Sequence, residues 1–375
     1  MVQGQQTSQA QRTRPVRPEL WTGIGFVRPE EVGALARQLE ADGWDGASVF
    51  DTQCLHADPF VMMTAAALAT KQLKLSISTS NPATRHPAVA ASAIVSVAAI
   101  AGDRIYLGIG RGDSALAYVG GAPASGALFE RYVAAVRRYL HGEGVAFESI
   151  RDWRLTEDVS TIRLGHAPSE SRLVWPGQAL PPIPIAIHGT GSRALKVAGR
   201  WADRLVIAVG ADPARVRWAI EVARAARLEA GLEPDTLSVS AVLVVGVAED
   251  MNRARRSVAS KVAAAARFAV MSGRVVGPVS DSQRRVYEQI RDAYDMTKHG
   301  GVGAQVDALT AEFIDSYAIV GSPARCVERM VELYALGVDA FGFGPPFGDV
   351  SENERRTAYR RLVDEVIPGV RAALG

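Results

Sequence analysis

Cysteine is nearly absent from this 375-residue chain: Cys54 and Cys326 each stand alone. Two isolated thiols argue against a disulfide framework and against a thiolate metal site, and they fit a reducing compartment. Histidine is scarce too. The six histidines form no His-x-x-x-His pair and have no carboxylate at ligand spacing, so no metal is expected. Charge of one sign is missing: 42 basic against 40 acidic side chains leave a net charge of +2, scattered rather than blocked. That removes the electrostatic case for nucleic acid or an anionic membrane surface. Long apolar runs are also missing. The longest, Ala88 to Ala101, is short and alanine-rich for a bilayer span, and the polar start MVQGQQTSQAQRTRPVRPEL lacks a secretory h-region. The expectation is a soluble, cytoplasmic protein whose residues 1–18 form a flexible arm.

What is present is a rhythm of short apolar runs and amphipathic segments. Strands are expected at 20–26, 46–51, 73–80, 105–109, 183–188, 204–209, 237–247 and 338–343, with a helical pattern after each. Helix starts are marked by Pro29, Pro59, Pro87 and Pro323. Eight β-then-α units without a hairpin signal predict an α/β fold, a closed (βα)8 barrel in one domain over 19–375. Two long connections interrupt it, about 143–182 after the fourth strand and 273–320 after the seventh. Connections of that length usually carry function, so both are expected over the mouth, with Trp153 or Trp175 as stacking walls.

In a parallel barrel, strand carboxyl ends face one mouth. There the sequence collects Asp51, Ser78 to Asn81, Gly110-Arg111-Gly112-Asp113, His188, Gly189-Thr190-Gly191-Ser192 and Gly344. Glycine and serine suit a flat ring lying close to the backbone, although glycine also merely punctuates loops. Gly189 to Ser192 before a helix is an anion-binding signal, read as one phosphate site at the barrel mouth. Asp51 ends its strand where a base or a turn cap could sit. His188 is the best placed imidazole. No G-x-S-x-G elbow accompanies them.

Three stretches, LSISTSNPATRHPAV (75–89), YLGIGRGDSALAYVG (106–120) and HGTGSRALKVAGRWADRLV (188–206), resemble the luciferase-like flavin-dependent oxidoreductases. Within them the chain is most similar to the branch containing methylenetetrahydromethanopterin reductase. The resemblance implies a dimeric barrel holding an isoalloxazine-type ring, either the deazaflavin coenzyme F420 or FMN, against a small organic substrate. It places a non-prolyl cis peptide at Ser78 and Thr79, and Asp51 and Asn81 at the ring edge. Gly110, Arg111, Gly112 and Asp113 would lie along the ring's side, and Gly189, Thr190, Gly191 and Ser192 would take the phosphate. Arg111 and Arg193 stand ready for an acidic tail. Deazaflavin-dependent sugar-phosphate and alcohol dehydrogenases carry a histidine directly after this aspartate; here Thr52 follows, which leaves the proton donor open. Hydride transfer, oxygen activation by FMN and a non-catalytic flavin-binding barrel all stay open.

Overall fold

Alternate residues of the barrel strands are mostly apolar, and this period of two decides which face meets the helices. β1 (Glu19–Ile24), β2 (Gly46–Val49), β3 (Lys74–Ile77), β4 (Ile105–Ile109), β5 (Ile185–Gly189), β6 (Arg204–Ile207) and β7 (Ser238–Leu243) run parallel. β8 (Val245–Val247) and β9 (Ile319–Gly321) pair with each other, and β10 (Ala340–Phe343) closes the ring between β7 and β1. The (βα)8 barrel read from the rhythm is the fold. The computed structural model describes residues 15–25, 27–177, 182–271, 273–298, 301–344 and 350–375. Expectations for the arm before Pro15, for Phe26 and for parts of both insertions lie outside the described residues.

The register separates two sets. Outward residues such as Leu75, Ile77, Leu107, Ile109, Leu205 and Ile207 are buried under the helices. Many inward residues are small or polar: Gly23, Ser48, Ser76, Gly108, His188 and Gly342 follow one parity around the ring, which Trp21, Tyr106, Val206 and Val242 share. At the amino-terminal end the interior is plugged by charge. Glu19 pairs with Arg204 at 2.9 Å and with Lys74, while the Trp21 indole donates to it at 3.0 Å. The Arg204 guanidinium lies 4.6 Å from the Tyr106 ring centre. Toward the other end the inward set is mostly small, with Gly23, Ser48, Ser76, Gly108 and Gly342 beside Val206, Val242 and His188.

Three aspartates pin the closed end in the same way. Asp45, Asp203 and Asp339 each precede a strand, and each carboxylate accepts a neighbouring strand's N–H, from Leu20 (2.9 Å), Ile185 (2.9 Å) and Val239 (2.8 Å).

The helices are α1 (Pro29–Ala41), α2 (Pro59–Ala69), α3 (Pro87–Ala101), α4 (Ser114–Ala117), α5 (Gly126–Leu140), α6 (Ser192–Trp201) and α7 (Pro213–Glu229). They continue as α8 (Met251–Ala266), α9 (Asp281–Ala293), α10 (Ala304–Asp307), α11 (Ala311–Tyr317), α12 (Pro323–Ala335), α13 (Glu352–Arg361) and α14 (Ile367–Leu374). Proline at the first position follows a capping side chain at Asp58, His86, Asp212 and Ser322, where a missing N–H costs nothing. One segment, Pro87–Arg104, is long and apolar enough to cross a membrane by composition, but it is α3 and its following turn, packed in the helical ring between α2 and α5.

Several boundaries need correction. The seventh strand, expected over 237–247, breaks at Val244 into β7 and β8, because β8 leaves the barrel to pair with β9. β9 was hidden at the edge of the second insertion, three residues being too few for a period to register. The arm ends sooner than residue 18. Arg17 binds Asp45 through both carboxylate oxygens (2.9 and 3.0 Å), and the Tyr334 hydroxyl donates to the Pro15 carbonyl at 2.8 Å. The last helix widens at Leu362–Val366, since Pro368 cannot donate to the preceding turn.

Candidate active site at the barrel mouth

β3 and β4 build one wall. The Ser78–Thr79 peptide is cis, and Ser80 then bridges to β4: its N–H donates to the Gly108 carbonyl (2.9 Å) and its carbonyl accepts from Gly110 (2.8 Å). The two chains run so close that a Cβ on Gly108 would sit 1.7 Å from the Ile77 carbonyl oxygen. A Cβ on Gly110 would meet Thr79 Oγ1 at 2.7 Å. Gly112 takes φ +78°, a conformation that favours glycine.

Asp51 is buried and its carboxylate is committed. Oδ2 accepts from Ser80 Oγ (2.8 Å) and Arg85 Nε (3.3 Å), and Oδ1 from Gln53 (3.1 Å). Arg85 also reaches Asp58 at 2.7 Å and covers the Phe60 ring. Held this way, Asp51 orients the β2–β3 rim rather than standing ready as a base. Asn81 is fully buried; its Oδ1 accepts from Ala83 and Thr84, while Nδ2 has no partner among the described residues. That orphaned donor is a cradle feature for a ligand carbonyl or ring nitrogen.

The expected role of Asp113 at the ring's side must be corrected, because its carboxylate is already occupied. Arg267 binds it through two nitrogens, one at 3.1 Å, and this guanidinium is itself sandwiched against Phe268 and Tyr294 at 5.2 and 4.7 Å. The pair straps the segment after α8 to the β4 loop. Thr190 adds a second tie, its hydroxyl donating to the Phe268 carbonyl at 3.4 Å, and Tyr118 a third, to the Met296 carbonyl at 3.1 Å. The segment after α8, and through Met296 the second insertion, are thus tied to the β4 and β5 loops. From the first, Trp153 lies tilted beside Tyr132, ring centres 5.6 Å apart, and donates to the Pro82 carbonyl at 2.6 Å. Trp175 instead bonds Ser92 on the outer surface of α3 and is no wall of the mouth.

β5 delivers the other wall. His188 points inward opposite Gly108, with Nε2 3.4 Å from a Cβ placed there, and makes no hydrogen bond among the described residues. Burial disfavours the imidazolium and lowers its pKa to about 3, so His188 is a neutral donor or acceptor near pH 7. Gly189 faces outward against Leu195 of α6 and lies behind the site rather than in it. Gly191 is the N-cap of α6 and offers no side chain, and a Cβ there would meet nothing within 4 Å. The first amides of α6, with Ser192 leading, are thus open to an anion. Arg111 lies close by. Its pKa is lowered, by burial first and then by the charge of Arg193, so two cations stand together beside this helix start. Arg111 Nε donates to the Ala124 carbonyl at 2.6 Å, which fixes its plane.

Lys261 is a functional candidate that the sequence did not reveal. It lies mid-helix in α8, yet its Nζ sits 2.2 Å from where a Cβ on Gly344 would be, at the carboxyl end of β10. Burial lowers its pKa to about 7. No local signal could have found it, because 83 residues separate it from the glycine that makes room for it. Arg85 and Arg267 were likewise invisible as partners of Asp51 and Asp113. Among the described residues no cluster of His, Cys, Asp and Glu could hold a metal ion.

Comparison with known proteins places this geometry. The luciferase-like monooxygenase family model matches residues 3–340. The 5,10-methylenetetrahydromethanopterin reductase of Methanolobus tindarius is 25% identical over 91% of this chain and 99% of its own. That of Archaeoglobus fulgidus is 28% identical over 92% and 98%. The solved coenzyme F420-dependent tetrahydromethanopterin reductase of Methanopyrus kandleri superposes with a TM-score of 0.67 at 21% identity, covering 94% of this chain and 99% of that one. A barrel mouth with a glycine-rich β4 turn, a cis peptide after β3 and an open helix start after β5 is here the frame of an oxidoreductase, and the chain belongs to the luciferase-like monooxygenase family.

Proposed function

We propose that this chain is a deazaflavin-dependent oxidoreductase that passes hydride from reduced coenzyme F420 to a small organic substrate carrying a C=N, C=O or enone group. The observation that carries it is the pair Arg111 and Arg193 beside the uncapped start of α6. A ribityl phosphate alone needs the helix amides; a second cation suits a cofactor whose acidic tail continues past that phosphate. The relatives named methylenetetrahydromethanopterin reductase, matched over nine-tenths of the chain, support the same reading.

The residues fit such a cofactor. Small inward residues on β1, β2, β4 and β10 leave room for a flat tricycle, and the buried Nδ2 of Asn81 awaits an acceptor. The α6 amides, Ser192 and the two arginines would hold the phosphate and tail. When bound, the cofactor supplies the hydride. The protein positions the ring between the β3–β4 wall and His188, keeps Asp51 and Asp113 neutralised by arginine, and excludes water through the strap at Arg267. A neutral His188 can orient a substrate oxygen or nitrogen without adding charge.

Anaerobic titration of the purified protein with reduced coenzyme F420 and with reduced FMN, separately, tests the reading. Deazaflavin binding is expected; tight FMN binding without deazaflavin affinity sinks it and promotes the monooxygenase alternative. 5,10-Methylenetetrahydromethanopterin is the first substrate probe. The quaternary proposal is a homodimer built on α2 and α3. Neither helix contains a charged residue, and Val61, Leu68, Val89 and Ile100 are more than half exposed on them.

A further inference from the structure

We propose that His188 is a cofactor-contacting residue of this site: one nitrogen of its imidazole hydrogen-bonds the polar edge of the bound ring, deazaflavin or flavin. The inference rests on the reading that this mouth holds such a ring, and it gives the ring a fixed polar partner on the β5 wall.

The register of β5 sets the position. Ala186 pairs with Gly108 and Arg204, and His188 with Val206, all on the inward parity. His188 is therefore the last inward side chain before the strand ends at Gly189. Gly108 on β4 has no side chain, so the imidazole lies across to the seam between β3 and β4, with Nε2 3.4 Å from where a Cβ on Gly108 would be. The Ile77 carbonyl on that seam accepts from Ser76 Oγ at 3.3 Å. His188 itself makes no hydrogen bond among the described residues.

The residues that follow decide what reaches it. Three positions past His188, Gly191 caps α6 and leaves the first amides open beside Arg111 and Arg193. Three residues of extended chain span about 10 Å at most. A cofactor anchored there by its phosphate carries five ribityl carbons before its ring, a similar reach, and the ring comes to lie beside the end of β5.

The chemistry of the free groups suits that ring. The carboxylates of the mouth are spent on the protein: Asp51 is held by Arg85 and Ser80, and Asp113 by Arg267. Asn81 Nδ2 and the His188 nitrogens are uncharged and have no partner among the described residues. Burial keeps the imidazole neutral at pH 7, with one N–H donor and one bare acceptor nitrogen. The pyrimidine edge of either ring alternates carbonyl oxygens with an N–H, so either nitrogen finds a match there. A cation at this place would stabilise the electron-rich reduced ring and hold back its hydride; a neutral partner orients the ring without doing so. The second imidazole nitrogen stays available to the substrate.

Ring-nitrogen NMR of protein isotope-labelled at histidine, with the His188 signal assigned by its loss in His188→Gln, is the first test. That signal should move when oxidised coenzyme F420 or FMN is added separately to saturation. Fluorescence titration is the second. His188→Phe, close in size but without a polar atom, should weaken cofactor binding by at least about tenfold, whereas His188→Gln, which keeps a donor and an acceptor, should stay within about threefold of wild type. A histidine needed only to fill the barrel would be replaced by phenylalanine without that loss. An unmoved His188 signal on cofactor saturation, or equal affinity in wild type and His188→Phe, overturns the assignment. Movement with FMN alone removes the deazaflavin reading and leaves His188 in its role; a wild type that binds neither ring ends both.

Discussion

At the residue scale, Gly191 and Gly108 show how the same amino acid serves two ends. Gly191 has open space where a side chain would go. Aspartate is a preferred N-cap worth about 0.5–2 kcal/mol over alanine, so Gly191→Asp should not lower Tm. Its carboxylate would sit at the anion site beside Arg111 and Arg193, however, and cofactor affinity by fluorescence titration should fall at least about tenfold. Unchanged affinity would remove the α6 start from the site. Gly108 has no such space. Gly108→Ala forces a methyl into the Ile77 carbonyl, and the β3–β4 pair must separate. A loss of more than about 3 kcal/mol is expected in denaturant unfolding, with the mouth distorted as well. Gly191 was legible in the sequence as part of an anion-binding signal, whereas Gly108 was legible only as a position in the strand 105–109. Their opposite tolerance was not legible, because it depends on a neighbouring strand rather than on their own segment.

At the element scale, the charged plug inside the barrel ties acid stability to three strands. Burial alone would raise the pKa of Glu19, but the charges of Arg204 and Lys74 outweigh it and hold it down at about 2. A depressed carboxylate stabilises the fold above its unfolded pKa of about 4.3 and loses that contribution as pH falls through its folded value. The shift corresponds to about 3 kcal/mol, present at neutral pH and lost progressively from about pH 4.5 to 2. Glu19→Gln should therefore destabilise the protein at pH 7 and flatten the acid limb of its stability curve; an unchanged limb would reassign that limb to other carboxylates. The strap over the mouth makes a separate prediction. Arg267→Ala leaves Asp113 without its partner and opens the stack with Phe268 and Tyr294. Amide exchange should accelerate in 267–271 and 294–298 while the barrel strands keep their protection. Uniform exchange across the molecule would show the strap to be part of the global fold instead.

At the scale of the whole molecule, uncharged α2 and α3 set an expectation for assembly. Leu68→Glu, at a site 73% exposed, should leave the fold intact and convert a dimer to a monomer by light scattering. A wild-type monomer would end the proposal. The barrel itself was determined by the sequence: alternation in each strand, proline at helix starts and the β-then-α order are local, repeated signals, and a short window of chain carries each. The candidate mouth was legible to the same extent, because strand ends can be located from strand patterns. Its electrostatics were decided only by tertiary structure. Asp113 meets Arg267 across 154 residues, and Lys261 of α8 reaches Gly344 after β10. An ion pair or a shifted pKa depends on distance and desolvation, and both arise when the closed barrel brings remote segments together. No spacing within a segment encodes them.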